Sequence, residues 1–124
     1  MLGSAQIVAF VPATDLERSR EFYENVLGLR VTEVTAFACV LTAGGVTVRI
    51  TQVDQLRPQP FTVLGWVVSD IEATAVELVA RNVRFARYDG MSQDAHGVWT
   101  TPSGDRVAWF TDPDGNVLSL TQLT

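Results

Sequence analysis

The chain alternates between short apolar runs and stretches of mixed polarity, and the order of these segments repeats. Residues 6–11 and 63–68 are strand-like runs rich in Val, Ile, Leu and aromatic side chains. Each leads into a helix-start signature, Thr14-Asp15-Leu16-Glu17 in the first case and Ser69-Asp70-Ile71-Glu72, 55 positions later, in the second. Both read as capping boxes, in which the Thr or Ser oxygen accepts from the third helical amide while the Glu reaches back to the cap. Asp15 and Asp70 suit the positive end of the helix dipole. The first helix is predicted to run to about Leu27, with Leu16, Tyr23, Val26 and Leu27 on one face, and to stop at Gly28. The second is predicted from Asp70 to about Arg81, with Ile71, Val76, Leu78 and Val79 apolar, and to stop at Asn82, the next-best left-handed residue.

Strand-like runs follow each helix: 29–34, 37–42 and 46–53 in the first half, then 83–88, 97–101 and 106–111 in the second, with a last run over 116–122. Gly44-Gly45, Pro102-Ser103-Gly104-Asp105 and Asp112-Pro113-Asp114-Gly115 are turn signals between them. Asp112 and Asp114 therefore read as turn residues and not as a catalytic carboxylate pair. Residues 52–61, with Pro58 and Pro60, read as a linker. The pattern predicts an α+β chain of two βαβββ modules, about 5–53 and 62–124, within one domain spanning 1–124. Halves of this size bury little surface alone, so they are predicted to share one core.

Composition narrows the function classes. Hydrophobic residues make up 47% of the 124 positions and charged residues 19%, a globular balance. The net charge of −5 offers no basic footprint for phosphates, which argues against nucleic acid as a partner. No apolar stretch approaches the ~18 residues of a membrane span, so no membrane partner is expected. The single cysteine, Cys39, has no partner for an internal disulfide, and the expected setting is cytoplasmic. The single histidine, His96, excludes metal sites built on two or three histidines of one chain. No GxSxG elbow, P-loop or GxGxxG motif is present, and His96 in its polar stretch reads as a loop residue.

Two stretches, residues 15–29 with Phe22-Tyr23-Glu24-Asn25-Val26-Leu27-Gly28-Leu29 and residues 110–120 with Asp112-Pro113-Asp114-Gly115-Asn116-Val117-Leu118-Ser119-Leu120, give the chain a family likeness. It resembles the vicinal oxygen chelate superfamily, which includes glyoxalase I, bleomycin-resistance proteins and extradiol dioxygenases. The resemblance implies two modules whose strands curl into a half-open barrel of mixed sheet around one cleft. It also implies four cleft-facing positions that hold a divalent ion in the family's metal enzymes. Carried over one at a time, these fall on Gln6 in the first strand, Arg49 in Val48-Arg49-Ile50, Val63 in the second module's first strand, and Ser119 in Leu118-Ser119-Leu120. Valine has no donor atom, arginine is a fixed cation, and serine is a poor ligand for divalent ions. No metal and no cofactor are expected, and no catalytic residue is assigned.

Period-two alternation adds the neighbours that share the cleft with those positions: Val8 and Phe10 with Gln6, Thr47 and Thr51 with Arg49, Gly65 and Val67 with Val63, Val117 and Thr121 with Ser119. This is an apolar wall with a few polar groups, as small-molecule pockets have. Gly65 either leaves room for a ligand or packs closely. Arg49 either meets an anionic or π-rich ligand, or faces solvent or an internal carboxylate. Trp66, Trp99, Trp109, Phe37 and Phe61 are surfaces for a planar ligand if they are not core or interface. The expected function is metal-independent binding of a small apolar or aromatic ligand, anionic if Arg49 meets it, by a homodimer in the manner of bleomycin-resistance proteins. The alternatives are a glyoxalase- or dioxygenase-like enzyme with a non-standard metal site or none, and a regulatory module without a small ligand.

Overall fold

A computed structural model describes residues 1–124 and resolves two compact units, Met1–Arg57 and Pro58–Thr124. The first unit contains β1 (Val8–Ala13), α1 (Leu16–Arg20), β2 (Arg30–Val34), β3 (Ala38–Ala43) and β4 (Val46–Gln52). The second contains β5 (Thr62–Val67), α2 (Ile71–Ala80), β6 (Trp99–Thr100), β7 (Arg106–Thr111) and β8 (Val117–Gln122). The sheets have equivalent orders, β1-β4-β3-β2 and β5-β8-β7-β6. In each, the first strand runs parallel to the last and the remaining pairs are antiparallel. The βαβββ repeat read from the sequence is thus present as a repeated topology.

One face of each sheet is covered by its helix. In the first unit Val11, Tyr23, Leu41, Val48 and Ile50 are buried, and α1 lies on β3 and β4. In the second, Ile71, Ala75 and Leu78 of α2 pack with Ala108, Phe110, Leu118 and Leu120 of β7 and β8. Val76 and Val79, apolar in the sequence pattern, point outward and are more than half exposed. Phe110 stacks with Trp66 at 6.4 Å and meets Phe85 edge-on at 5.5 Å.

The helix starts sit one residue later than the capping boxes place them. Asp15 accepts from the Arg18 amide at 3.1 Å, and Asp70 from the Ala73 amide at 3.0 Å. A carboxylate at the N-cap satisfies a free amide and adds a negative charge at the positive helix end, which a hydroxyl does not. Glutamine side chains at the ends of β4 and β8 complete both starts: Gln52 Nε2 donates to the Thr14 carbonyl at 2.7 Å, and Gln122 Oε1 accepts from the Ile71 amide at 2.8 Å. The predicted stops hold, with Gly28 at φ 79° and Asn82 at φ 70°.

Two elements differ from the sequence pattern. Beyond Arg20 the first helix widens into a π-helix over Glu21–Val26, with the Leu27 amide donating to the Phe22 carbonyl five residues back. In the second unit, residues 83–88 form no strand beyond a bridge from Phe85 to Phe110, and 97–101 shrinks to Trp99–Thr100. Gln93 takes the place of the missing ladder. Its amide donates to the Ala86 and Gly97 carbonyls, both at 2.9 Å, and accepts from the Tyr88 amide at 2.8 Å. One side chain thereby satisfies backbone groups that a neighbouring strand would otherwise pair.

Candidate functional site

The face of each sheet opposite its helix carries the residues singled out by alternation. In the first unit Val8 pairs with Thr47, and Phe10 with Arg49, which in turn faces Val40. Val48 and Ile50 are buried on the helix side, so Thr47, Arg49 and Thr51 share the open face and are half-buried there. Phe10 is 65% exposed although it lies within a strand, an unusual state for so large an apolar group. Arg49 forms no hydrogen bond and no ion pair within the chain. Gln6 precedes β1, is exposed, and lies outside the ladder.

In the second unit one row across the open face runs Gly65–Ser119–Trp109, and the next runs Val67–Thr121–Val107–Trp99. Ser119 is buried, and a Cβ built on Gly65 would lie 2.8 Å from its Oγ. Of the two readings for Gly65, close packing is the one observed: the glycine admits the serine hydroxyl. Val63 is the extra residue where the β5–β8 register shifts between Thr62 and Leu64, so it lacks a Cα partner on β8.

The aromatic residues separate into two groups. Trp66 lies against the buried Phe110 on the helix side and belongs to the core cluster. On the other face Trp109 stands between Tyr88, edge-on at 5.5 Å, and Trp99, tilted by 30° at 6.3 Å. Tyr88, 41% exposed, was not among the expected site residues. The alternation that set Ser119 on the open face, applied to β7, would have added Trp109 beside it, since Ala108 and Phe110 are buried. No such rule reaches Tyr88, because its segment is held by Gln93 and not by a ladder. Phe37 and Phe61 are exposed.

Two titratable groups, Cys39 and Asp94, are shifted by their surroundings. Burial pushes the Cys39 thiol up, with Arg20 opposing and Glu24 reinforcing the shift, so the thiol stays protonated at neutral pH. For Asp94, partial burial raises the carboxyl, but hydrogen bonds from the Val98 and His96 amides and the nearby His96 and Arg106 charges outweigh it and hold it below the usual aspartate value. Asp112 works as the turn residue its sequence suggests. Its Oδ1 accepts from the Asp114 and Asn116 amides at 2.9 and 3.0 Å, and its Oδ2 accepts from Asn116 Nδ2 at 2.9 Å. His96 Nε2 lies 3.4 Å from Glu72 Oε1.

The four residues that the resemblance sets at metal positions are a poor donor set for a divalent ion. Arg49 brings a fixed positive charge to one of them, Val63 sits in a strand irregularity without a donor atom, and only Gln6 offers an ordinary ligand oxygen. Nowhere does the chain gather three His, Cys, Asp or Glu side chains in an arrangement that could hold a metal. No helix is long and apolar enough to cross a membrane.

No curated protein matches the sequence significantly. Solved structures match it over nearly its whole length. A glyoxalase/bleomycin resistance protein/dioxygenase superfamily member from Sphaerobacter thermophilus shares 23% identity with a TM-score of 0.75, covering 97% of this chain and 98% of its own. A lactoylglutathione lyase from Agrobacterium tumefaciens shares 14% identity with a TM-score of 0.73, over 96% and 93%. A glyoxalase/bleomycin resistance protein/dioxygenase from Alicyclobacillus acidocaldarius shares 18% identity with a TM-score of 0.70, over 96% and 91%. At these identities the likeness is one of fold. The family model for this superfamily matches residues 5–120, nearly the whole of both repeats. The chain belongs to the glyoxalase/bleomycin resistance protein/dioxygenase superfamily.

Proposed function

We propose that this protein binds a small apolar or aromatic anion without a metal, on the open sheet face that carries Arg49, and sequesters that ligand as bleomycin-resistance proteins do. The observation that carries this reading is Arg49, a guanidinium without a carboxylate partner, beside the exposed ring of Phe10. A half-buried cation flanked by apolar and hydroxyl groups favours a carboxylate or phenolate, and its planar delocalised charge also stacks on rings. In the second unit Tyr88, Trp99 and Trp109 form an aromatic surface of their own, on which a planar body could stack. Binding here needs no proton transfer and no Lewis acid, and the residues named supply neither.

The test is metal analysis of protein purified without chelator, joined to thermal denaturation with and without EDTA. The expected result is no stoichiometric divalent ion and an unchanged melting temperature. A stoichiometric ion whose removal lowers the melting temperature would overturn the metal-free reading.

A homodimer is part of the same proposal. Val8, Phe10, Val34, Phe37, Phe61 and Val67 are exposed apolar side chains, and a dimer interface is one way to bury a share of them. Light scattering at micromolar concentration should give twice the chain mass, and a monomer would contradict it.

A further inference from the structure

The outward face of α2 borders a pocket that plays no part in the function proposed above. Val76 and Val79, 52% and 55% exposed, line it together with Phe85, and Arg84, Arg87 and His96 bring its polar groups. Its volume is about 430 Å³, within the range of small-ligand sites. Arg87 builds the far wall, donating from Nη1 to the Asp94 carbonyl at 2.6 Å and from Nη2 to the Ala95 carbonyl at 2.8 Å. That fixes the loop carrying His96, whose Nε2 engages Glu72. Arg84 is exposed and makes no hydrogen bond or ion pair within the chain.

The charge of this pocket runs against that of the protein. The chain has fourteen carboxylates and nine basic residues, all arginine, yet no Asp or Glu lines the pocket, while two arginines and the only histidine do. Exposed valines and a phenylalanine beside the unopposed guanidinium of Arg84 complement a ligand with an apolar body and a single anionic end. We infer that the pocket between α2 and the 83–96 segment binds a small aliphatic or aromatic carboxylate, its chain against Val76, Val79 and Phe85 and its carboxylate at Arg84. Arg87 is largely committed to the loop, so Arg84 is the residue free to receive the anion. The apolar wall selects for a ligand larger than acetate, and the absence of a lining carboxylate selects against amines.

The test is NMR titration of the labelled full-length chain with hexanoate and, separately, with its uncharged counterpart hexanamide. Hexanoate should shift the Val76 and Val79 methyl and Arg84 Nε resonances saturably, with a Kd of about 1 mM for so small a probe. Hexanamide should bind the same groups about tenfold more weakly. Arg84→Gln should erase most of that difference, and Val79→Glu should abolish binding of hexanoate. Arg49→Met should leave both titrations at these resonances unchanged, which separates this pocket from the open sheet faces. Equal affinity for hexanoate and hexanamide, shifts confined to β1 and β4, or shifts of these groups on dilution of the protein alone, which would mark a contact between copies, would each overturn the inference.

Discussion

Replacing Asp112 with alanine is expected to destabilise the protein by about 3 kcal/mol and to lower its melting temperature by about 10 °C. Asp112 is 5% exposed and its carboxylate accepts three hydrogen bonds, two from backbone amides and one from the Asn116 side chain. Hydrogen bonds to a charged acceptor contribute about 1.5–3 kcal/mol each, and they do not add fully within one network. Alanine would also remove the acceptor that Asn116 Nδ2, in a side chain 3% exposed, uses at 2.9 Å. The same turn is closed by backbone bonds from Asp112 N to Asn116 O at 3.0 Å and from Gly115 N to Asp112 O at 2.9 Å, with Gly115 at φ 87°. It joins β7 to β8 and so sets the register that brings Trp109 opposite Ser119. Asp112→Asn keeps an acceptor for the backbone amides but turns a second amide donor toward Asn116, so its loss should be intermediate. Urea denaturation of the three proteins measures the order. A loss below about 1 kcal/mol for alanine would mean that the turn holds without its carboxylate.

The second large effect is expected at Arg49. Arg49→Met keeps much of the side-chain length and removes the charge, so affinity for an anionic ligand should fall by about 1.5–3 kcal/mol, the scale of a charge-assisted hydrogen bond. That corresponds to about a tenfold to hundredfold rise in Kd. Because the guanidinium has no partner within the chain, its removal leaves no group unsatisfied, and stability should change by less than about 1 kcal/mol. The contrast between the two measurements is the point of the experiment. A residue held for packing would lose stability and affinity together, whereas a binding residue loses affinity alone. 2-Naphthoate is a suitable anionic probe, with 2-naphthamide as its neutral control.

The parts of this fold that follow from local chemistry could be read from the sequence. Gly28 and Asn82 stop their helices because each adopts a left-handed backbone there. Alternation set Val48 and Ile50 on the buried side of β4 and Arg49 with its threonines on the other, because one helix-covered face imposes a strict period of two. The caps were off by one residue because a hydroxyl and an adjacent carboxylate both satisfy the box pattern, and only the backbone at Asp15 and Asp70, near φ −141°, decides between them. The widened turn at Glu21–Val26 leaves no mark on an apolar pattern that also suits an α-helix. The strand expected over 83–88 gave way to Gln93, a distant amide whose three bonds no local periodicity encodes.

The candidate site divides along the same line. Strand parity supplied Thr47, Arg49, Ser119 and Thr121, and it would also have supplied Trp109. Parity carries no sign of the register shift at Val63, because one extra residue in a strand leaves the alternation of apolar side chains unchanged. Tyr88 and the pocket beside α2 depend on how the 83–96 segment folds back. Val76 and Val79 look like core residues until α2 is seen to bury Ile71, Ala75 and Leu78 instead.

The central claim is that ligand binding relies on Arg49 and aromatic rings and not on a metal. Titration of 2-naphthoate with the protein in the presence and absence of EDTA, followed by the fluorescence of the probe itself, tests it most directly, because the naphthalene ring reports its own transfer from water to the protein. The account predicts saturable binding, identical with and without EDTA, and at least about tenfold weaker in Arg49→Met. Binding that disappears with EDTA and returns with an added divalent ion, or that is as tight in Arg49→Met as in the native chain, would contradict it.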